Sequence, residues 1–223
     1  MGRKNRYSRK GCILHVMNHG VWNVDIFGEP KDKQMFLYLM AEMERQFDCK
    51  ILGWCLMSNH YHILLLVGKD AVSKFMGRLQ EEFAKYYNRR HGRKGHVFFD
   101  RFKSVVAKDE HYFLCVSRYI HLNPVRAGIV RNPLDYRYSS YKNYVHHEAV
   151  VCEDISAWGR SFVEPLVDTS KVLYYFSDIG RTPEERYREF VESALKDKDL
   201  EKQVQKDIGE DERGMPPSSA KKS

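Results

Sequence analysis

The sequence predicts an α+β protein: a ferredoxin-like (split β-α-β) antiparallel sheet with helices on one face, plus a helical C-terminal extension. Three observations carry this prediction. Short apolar segments with strand character alternate with longer segments whose apolar residues recur at helical spacing. Their order is strand, helix, strand, strand, helix, strand, with a further helix behind. A last helical pattern closes the chain before a charged tail.

Each element has its own signal. Cys12 to Asn18 reads as the first strand. Asp32 to Phe47 sets Met35, Phe36, Leu39, Met40, Met43 and Phe47 at helical spacing. Lys50 to Met57 and His60 to Val67 read as two strands joined tightly through Ser58-Asn59. In the second, Ile63, Leu65 and Val67 share one face, while Leu64 and Leu66 share the other with His60 and His62. Both faces are apolar, so this strand belongs in the sheet interior.

Val72 to Arg90 is a helix with Phe75, Leu79, Phe83 and Tyr86/Tyr87 on its inner stripe, broken by Gly92 and Gly95. Phe102 to Val106 supplies the fourth strand. Asp109 is a good N-cap for a helix running to about Leu122 or Asn123, because Pro124 disfavours helical geometry in the residue before it. Such a sheet leaves the face away from its helices free for a ligand or nucleic acid. Tyr136 to Tyr144 reads as a short helix closing the core, and Thr182 to Lys202 as a helical appendage. From Gln203 the chain is charged, then Pro/Ser-rich, which predicts disorder. The expected organisation is a core domain over 1–148, a mainly helical extension over 149–202 and a tail over 203–223.

Composition excludes several classes. With 223 residues the chain can build one domain with a real core and a small appendage. No apolar run approaches the roughly 18–20 residues that span a bilayer, and the basic N-terminus lacks a continuous apolar stretch behind it. Five scattered cysteines without a C-x-x-C pair read as thiols in a reducing cytoplasm, where the protein is expected. The net charge of +7 is unevenly spread. Residues 178–213 hold 12 acidic and 8 basic side chains, whereas residues 1–177 hold 27 basic and 18 acidic. One basic cluster is the arm Arg3, Lys4, Arg6, Arg9 and Lys10. Another is Lys85, Arg89, Arg90, Arg93, Lys94, Arg101 and Lys103, interleaved with Tyr86, Tyr87, Phe98, Phe99 and Phe102. Cations beside aromatics suit a phosphate backbone with unstacked bases.

The chemistry-bearing motifs are Asn59-His60-Tyr61-His62 and Arg118-Tyr119-Ile120-His121-Leu122-Asn123-Pro124. On a strand His60 and His62 point the same way, one pleat apart, and two such imidazoles can chelate one metal ion. Tyr119 lies on a helical segment, with Asn123 one turn later. Taken singly, each has a bland reading: two polar residues on a wet sheet face, a packing tyrosine among 14, a helix-stopping asparagine.

Together they resemble a family. Trp54-Cys55-Leu56-Met57-Ser58-Asn59-His60-Tyr61-His62-Ile63-Leu64-Leu65 is similar to the histidine block of the HUH single-tyrosine transposases. Arg118 to Gly128 is similar to the tyrosine block of one branch, the REP-associated tyrosine transposases. Gly95 to Lys103 and Tyr136 to Tyr141 fit as well, so the resemblance spans roughly residues 9–145. Ser58 stands where proline is usual, and His19 to Asp25 departs from the family's arginine- and asparagine-rich loop.

The resemblance implies a DNA transposase with His60, His62 and Asn123 as metal ligands and Tyr119 as nucleophile. Two imidazoles and an amide oxygen suit a labile octahedral ion, Mg²⁺ or Mn²⁺, as cofactor. Single-stranded or hairpin DNA is the expected partner, and Arg3, Lys4, Arg6, Arg9, Arg89, Arg90, Arg93, Lys94, Arg101, Lys103 and Arg126 are the candidates for backbone contacts. Relatives include dimers and monomers; the long C-terminal extension favours a monomer. Two further classes use parts of the same equipment. A non-catalytic or domesticated nucleic-acid binder needs the basic region alone, and a replication-initiator or relaxase-type nickase shares the histidine pair.

Overall fold

The computed structural model describes residues 9–70, 72–155, 160–164 and 166–195. Strands β1 (Ile13–His19), β2 (Cys49–Leu56), β3 (His60–Val67) and β4 (Lys103–Val106) form an antiparallel sheet in the order β2-β3-β1-β4. With α1 (Pro30–Gln46) and α2 (Val72–Arg90) as its crossovers, this is the expected split β-α-β arrangement. β3 is internal, as its two apolar faces require.

One face of the sheet packs on α1 and α2. Leu14, Val16, Trp54, Tyr61, Ile63 and Leu65 meet Phe36, Met40, Phe75, Leu79 and Phe83 in a fully apolar core. A bulge between Ile51 and Gly53 resets the alternation of β2, so that both Ile51 and Trp54 reach this core.

The opposite face is not free. It is covered by α3 (Glu110–Arg126), behind which lie α4 (Tyr141–His146), α5 (Ser170–Leu173) and α6 (Pro183–Ser193). Met17, Leu52 and Leu64 bury there against Val116, Tyr119 and Ile120. The reason was present in β3: a strand apolar on both sides needs a layer on each.

α3 also runs past its expected end. Pro124 sits inside it, and the helix stops only where Gly128 adopts φ +69°. There Gly128 N donates to Val125 O and Ile129 N to Pro124 O, a Schellman closure that overrides the proline signal. Asp109 caps the other end, accepting from Tyr112 N, as expected.

The C-terminal segment holds a hairpin of β5 (Val150–Ile155) and β6 (Arg160–Glu164) that its sequence did not announce. The appendage helix is α6, opened by a capping box of Thr182 and Glu185. Arg3, Lys4, Arg6, residues 196–202 and the tail from Gln203 lie outside the described residues. Among the described residues, no helix is long and apolar enough to cross a membrane. Cys12, Cys49, Cys55 and Cys115 are free thiols; burial pushes Cys49, Cys55 and Cys115 above the usual thiol range.

Candidate active site

The register of β1 against β3 collects histidines. His19 lies opposite His60, Met17 opposite His62, and His15 opposite Leu64, so all four imidazoles share the α3 face. β4 adds Lys103 opposite Met17 and Val105 opposite His15.

α3 brings Tyr119 onto this face. Its ring stands edge-on to His62, with centroids 5.6 Å apart, and to His15 at 6.0 Å. Asn123, one helical turn on, donates from Nδ2 to Tyr119 O at 3.2 Å, and its Oδ1 keeps lone pairs that a metal ion could take. Another turn on, the Arg126 guanidinium lies 4.7 Å over the Tyr119 ring. The structure thus brings together His60, His62, Tyr119 and Arg126, and sets Asn123 on the Tyr119 face of α3.

Local hydrogen bonds orient the imidazoles. His60 Nδ1 donates to Asn59 Oδ1 at 2.6 Å, and His19 Nδ1 donates to Gly20 O at 3.0 Å, leaving each Nε2 with its lone pair. His62 Nδ1 lies 3.0 Å from His15 Nε2. With His15 accepting, His62 also keeps its Nε2 lone pair, the tautomer that a metal ligand needs. His15 and His19 were missed as site residues. Their signal was the period of two in His15-Val16-Met17-Asn18-His19, the same that marks His60 and His62.

Burial lowers the pKa of three of these imidazoles. Burial lowers His15 to about 3. Burial and, next, His19 lower His60 to about 4. Burial, then His15, His60 and Arg126, hold His62 well below its ordinary value. His15, His60 and His62 are therefore free bases at neutral pH. Arg126 is pulled down to about 10, chiefly by burial, and stays charged beside Tyr119.

A buried polar chain fixes α3 from behind. Tyr187 of α6 hydrogen-bonds Ser117 Oγ and meets His121 Nδ1 at 2.7 Å. His121 Nε2 meets Ser140 Oγ at 2.8 Å, and Ser140 Oγ accepts from Trp54 N of β2 at 2.9 Å. Ser117 and His121 flank Tyr119 at two residues' distance on either side, so the chain clamps the segment that carries it. Nothing in the sequence pairs these residues, which come from four separate elements.

The basic region is more divided than its sequence implies. Arg90 is taken up by Glu29 and Asp32, and Lys85 by Glu81 and Glu82. Tyr86, Tyr87, Phe98 and Phe102 are core residues; only Phe99 of that group is exposed. Arg9, Arg89, Lys94 and Arg101 are exposed, and Arg93 is half-buried over the Tyr87 ring. Glu29, Asp32 and His91 also come within ligand distance of one another. Arg90 already pairs with Asp32 there and His91 Nε2 hydrogen-bonds it at 3.0 Å, so that cluster is a polar brace between α1 and α2.

A ferredoxin-like sheet, a histidine pair on its inner strand β3 and a tyrosine helix laid across it make up the architecture of a single-tyrosine transposase. The chain belongs to the IS200-like transposase family, whose description, "Transposase IS200 like", it matches over residues 8–123. That span includes His60, His62, Tyr119 and Asn123. Among solved structures the chain is similar to a REP-associated tyrosine transposase bound to a REP hairpin, at 20% identity and TM-score 0.56. The likeness covers 65% of this chain and 86% of that one, and shows a shared fold. No curated protein matches the chain.

Proposed function

We propose that this chain cleaves and rejoins single-stranded or hairpin DNA through a 5′-phosphotyrosine at Tyr119, in the manner of a REP-associated tyrosine transposase. The observation that carries this reading is the packing of the Tyr119 ring edge-on to His62, with Arg126 over it. Attack by Tyr119 Oη forms a phosphorus–oxygen bond and breaks the bond to the 3′ oxygen, which leaves as a 3′-hydroxyl after taking a proton. One phosphodiester replaces another, so a different 3′-hydroxyl reverses the step and strands exchange without a nucleotide cofactor.

A free phenol has a pKa near 10, and only about a thousandth is ionised at neutral pH. The Arg126 guanidinium over the ring sets a positive charge beside the attacking group. His60 Nε2, His62 Nε2 and Asn123 Oδ1 are the donors that would hold a divalent ion. Two imidazoles and an amide oxygen fit Mn²⁺ somewhat better than Mg²⁺. When bound, such an ion withdraws electron density from the scissile phosphate and steadies charge on its non-bridging oxygens. Arg9, Arg89, Arg93, Lys94, Arg101 and Lys103 are the described cations for the DNA backbone. α3 and α6 are clasped within one chain, which favours a site completed in a monomer. The fold shared with a hairpin-bound relative supports hairpin DNA as the substrate form.

Substitution of the histidines tests the metal assignment. His60→Ala and His62→Ala should each abolish Mg²⁺- or Mn²⁺-dependent cleavage of a labelled hairpin while leaving its binding mostly intact. Full cleavage by either variant would remove that residue as a ligand.

A further inference from the structure

Two large aromatic side chains are exposed at the histidine end of the sheet, and the chemistry above uses neither. Phe99 is 56% exposed and Trp22 86%. Residues 97–99 run antiparallel to the chain leaving β1. Val21 N donates to Val97 O, Gly20 bridges to Phe98, and Phe99 N donates to His19 O. The Phe99 ring stacks on His19, with centroids 5.0 Å apart and planes 19° from parallel. His19 in turn lies opposite His60. A row of Phe99, His19 and His60 therefore runs across the sheet from solvent to the candidate metal ligands.

Trp22 tops the turn that follows His19. Both Trp22 (φ +54°) and Asn23 (φ +55°) hold the left-handed conformation, which asparagine tolerates and which is strained for a bulky tryptophan. The turn is wound tightly enough that a Cβ on Gly20 would lie 2.3 Å from Val24 O. Its far end is pinned by fully buried Ile26 and Phe27, and Phe27 N donates to Ser58 O beside the histidine block. An anchored, strained turn that aims an indole at water gains nothing for folding from that indole. Strain of this sort collects at ligand clamps.

We propose that Phe99 and Trp22 form a stacking ledge for unpaired nucleobases flanking the phosphate at the histidine–tyrosine site. The proposal rests on the single-stranded DNA reading given above. The ligand class is a π-face, so the ledge accepts any base and holds the strand beside the site with little sequence preference. Exposed Arg101 lies two residues from Phe99, and Asn18 Nδ2 holds the intervening Asp100 O at 2.8 Å, so a cation for the adjoining phosphate is set beside the rings.

The test is binding of a hairpin with single-stranded flanks, intact or carrying one abasic residue moved stepwise through the flank. Phe99→Ala and Trp22→Ala should each weaken binding of intact DNA by about 5- to 150-fold, and Trp22→Phe should restore most of the loss. On DNA abasic at the contacted position, the alanine substitutions should cost nothing further. Both side chains are exposed, so melting temperatures should stay at the wild-type value; a marked drop would assign them a structural role and overturn the ledge. Equal losses on intact and abasic DNA, or no loss at all, would also overturn it while leaving the transposase reading in place. If the wild-type chain binds no such DNA, both readings fall together.

Discussion

The two faces of one sheet carry opposite chemistry. Toward α1 and α2, the rings of Phe27, Phe36, Tyr61 and Phe83 pack on one another, and among the described residues buried charge is confined to the Asp32–Lys33 rim. Toward α3, the same strands bury His15 and His62, and the covering layer buries Ser117, Arg118, His121 and Ser140. Buried polar groups cost stability unless they are paired. His15 Nδ1 and Arg118 Nε have no hydrogen-bond partner. Their concentration on one face marks that face as the candidate functional side of the sheet.

The largest expected effect lies on the apolar face. Phe83 is fully buried among Phe27, Phe36 and Phe98. Phe83→Ala should cost about 3–5 kcal/mol of stability in urea unfolding, with cleavage per folded molecule unchanged. A collapse of cleavage per folded molecule would mean that the two faces are not separable.

Tyr187→Phe probes the opposite face with a smaller cost. It keeps the ring but takes the hydroxyl from Ser117 and His121. Leaving buried partners unmet should cost about 1–3 kcal/mol. Because Ser117 and His121 flank Tyr119, cleavage should fall too, with DNA affinity retained. Lost stability with wild-type cleavage would confine the chain of hydrogen bonds to folding.

The gentlest effect is graded with pH. Burial lowers His121 to about 3, from 6.5 in the unfolded chain. Between those values the unfolded chain holds the extra proton, so stability present above pH 6.5 is lost as pH falls toward 3. The slope is at most about 1.4 kcal/mol per pH unit for one proton. His121→Gln should flatten the stability profile over that window relative to wild type, and an unchanged profile would show that His121 does not titrate there.

The sheet and its helices were legible because each element carries its own period: alternation in β3, a helical stripe in α2, an N-cap at Asp109. So was the pairing of His60 with His62, which needs only the pleat. Three things were not. The cover over the histidine face depends on a layer far along the chain, although Leu64 and Leu66 required one. The end of α3 was hidden because Pro124 signals locally, whereas the Gly128 closure acts through hydrogen bonds to the residues before it. The roles of His15 and His19 appear only once β1 is registered against β3. The basic-aromatic stretch misled in a different way. Its spacing fits a nucleic-acid groove and a helix core equally well, and Tyr86, Tyr87, Phe98 and Phe102 went to the core.

The central claim is that Tyr119, under Arg126 and beside His62, carries the covalent link to DNA. Incubating the protein with a 3′-labelled hairpin in Mn²⁺, digesting it and sequencing the nucleotide-bearing peptide by mass spectrometry tests this directly. The expected result is one modified peptide, with the added mass on Tyr119, and its complete loss in Tyr119→Phe with folding and DNA affinity retained. An adduct that persists in Tyr119→Phe, or maps to Tyr112, Tyr86 or Tyr87, would contradict the account.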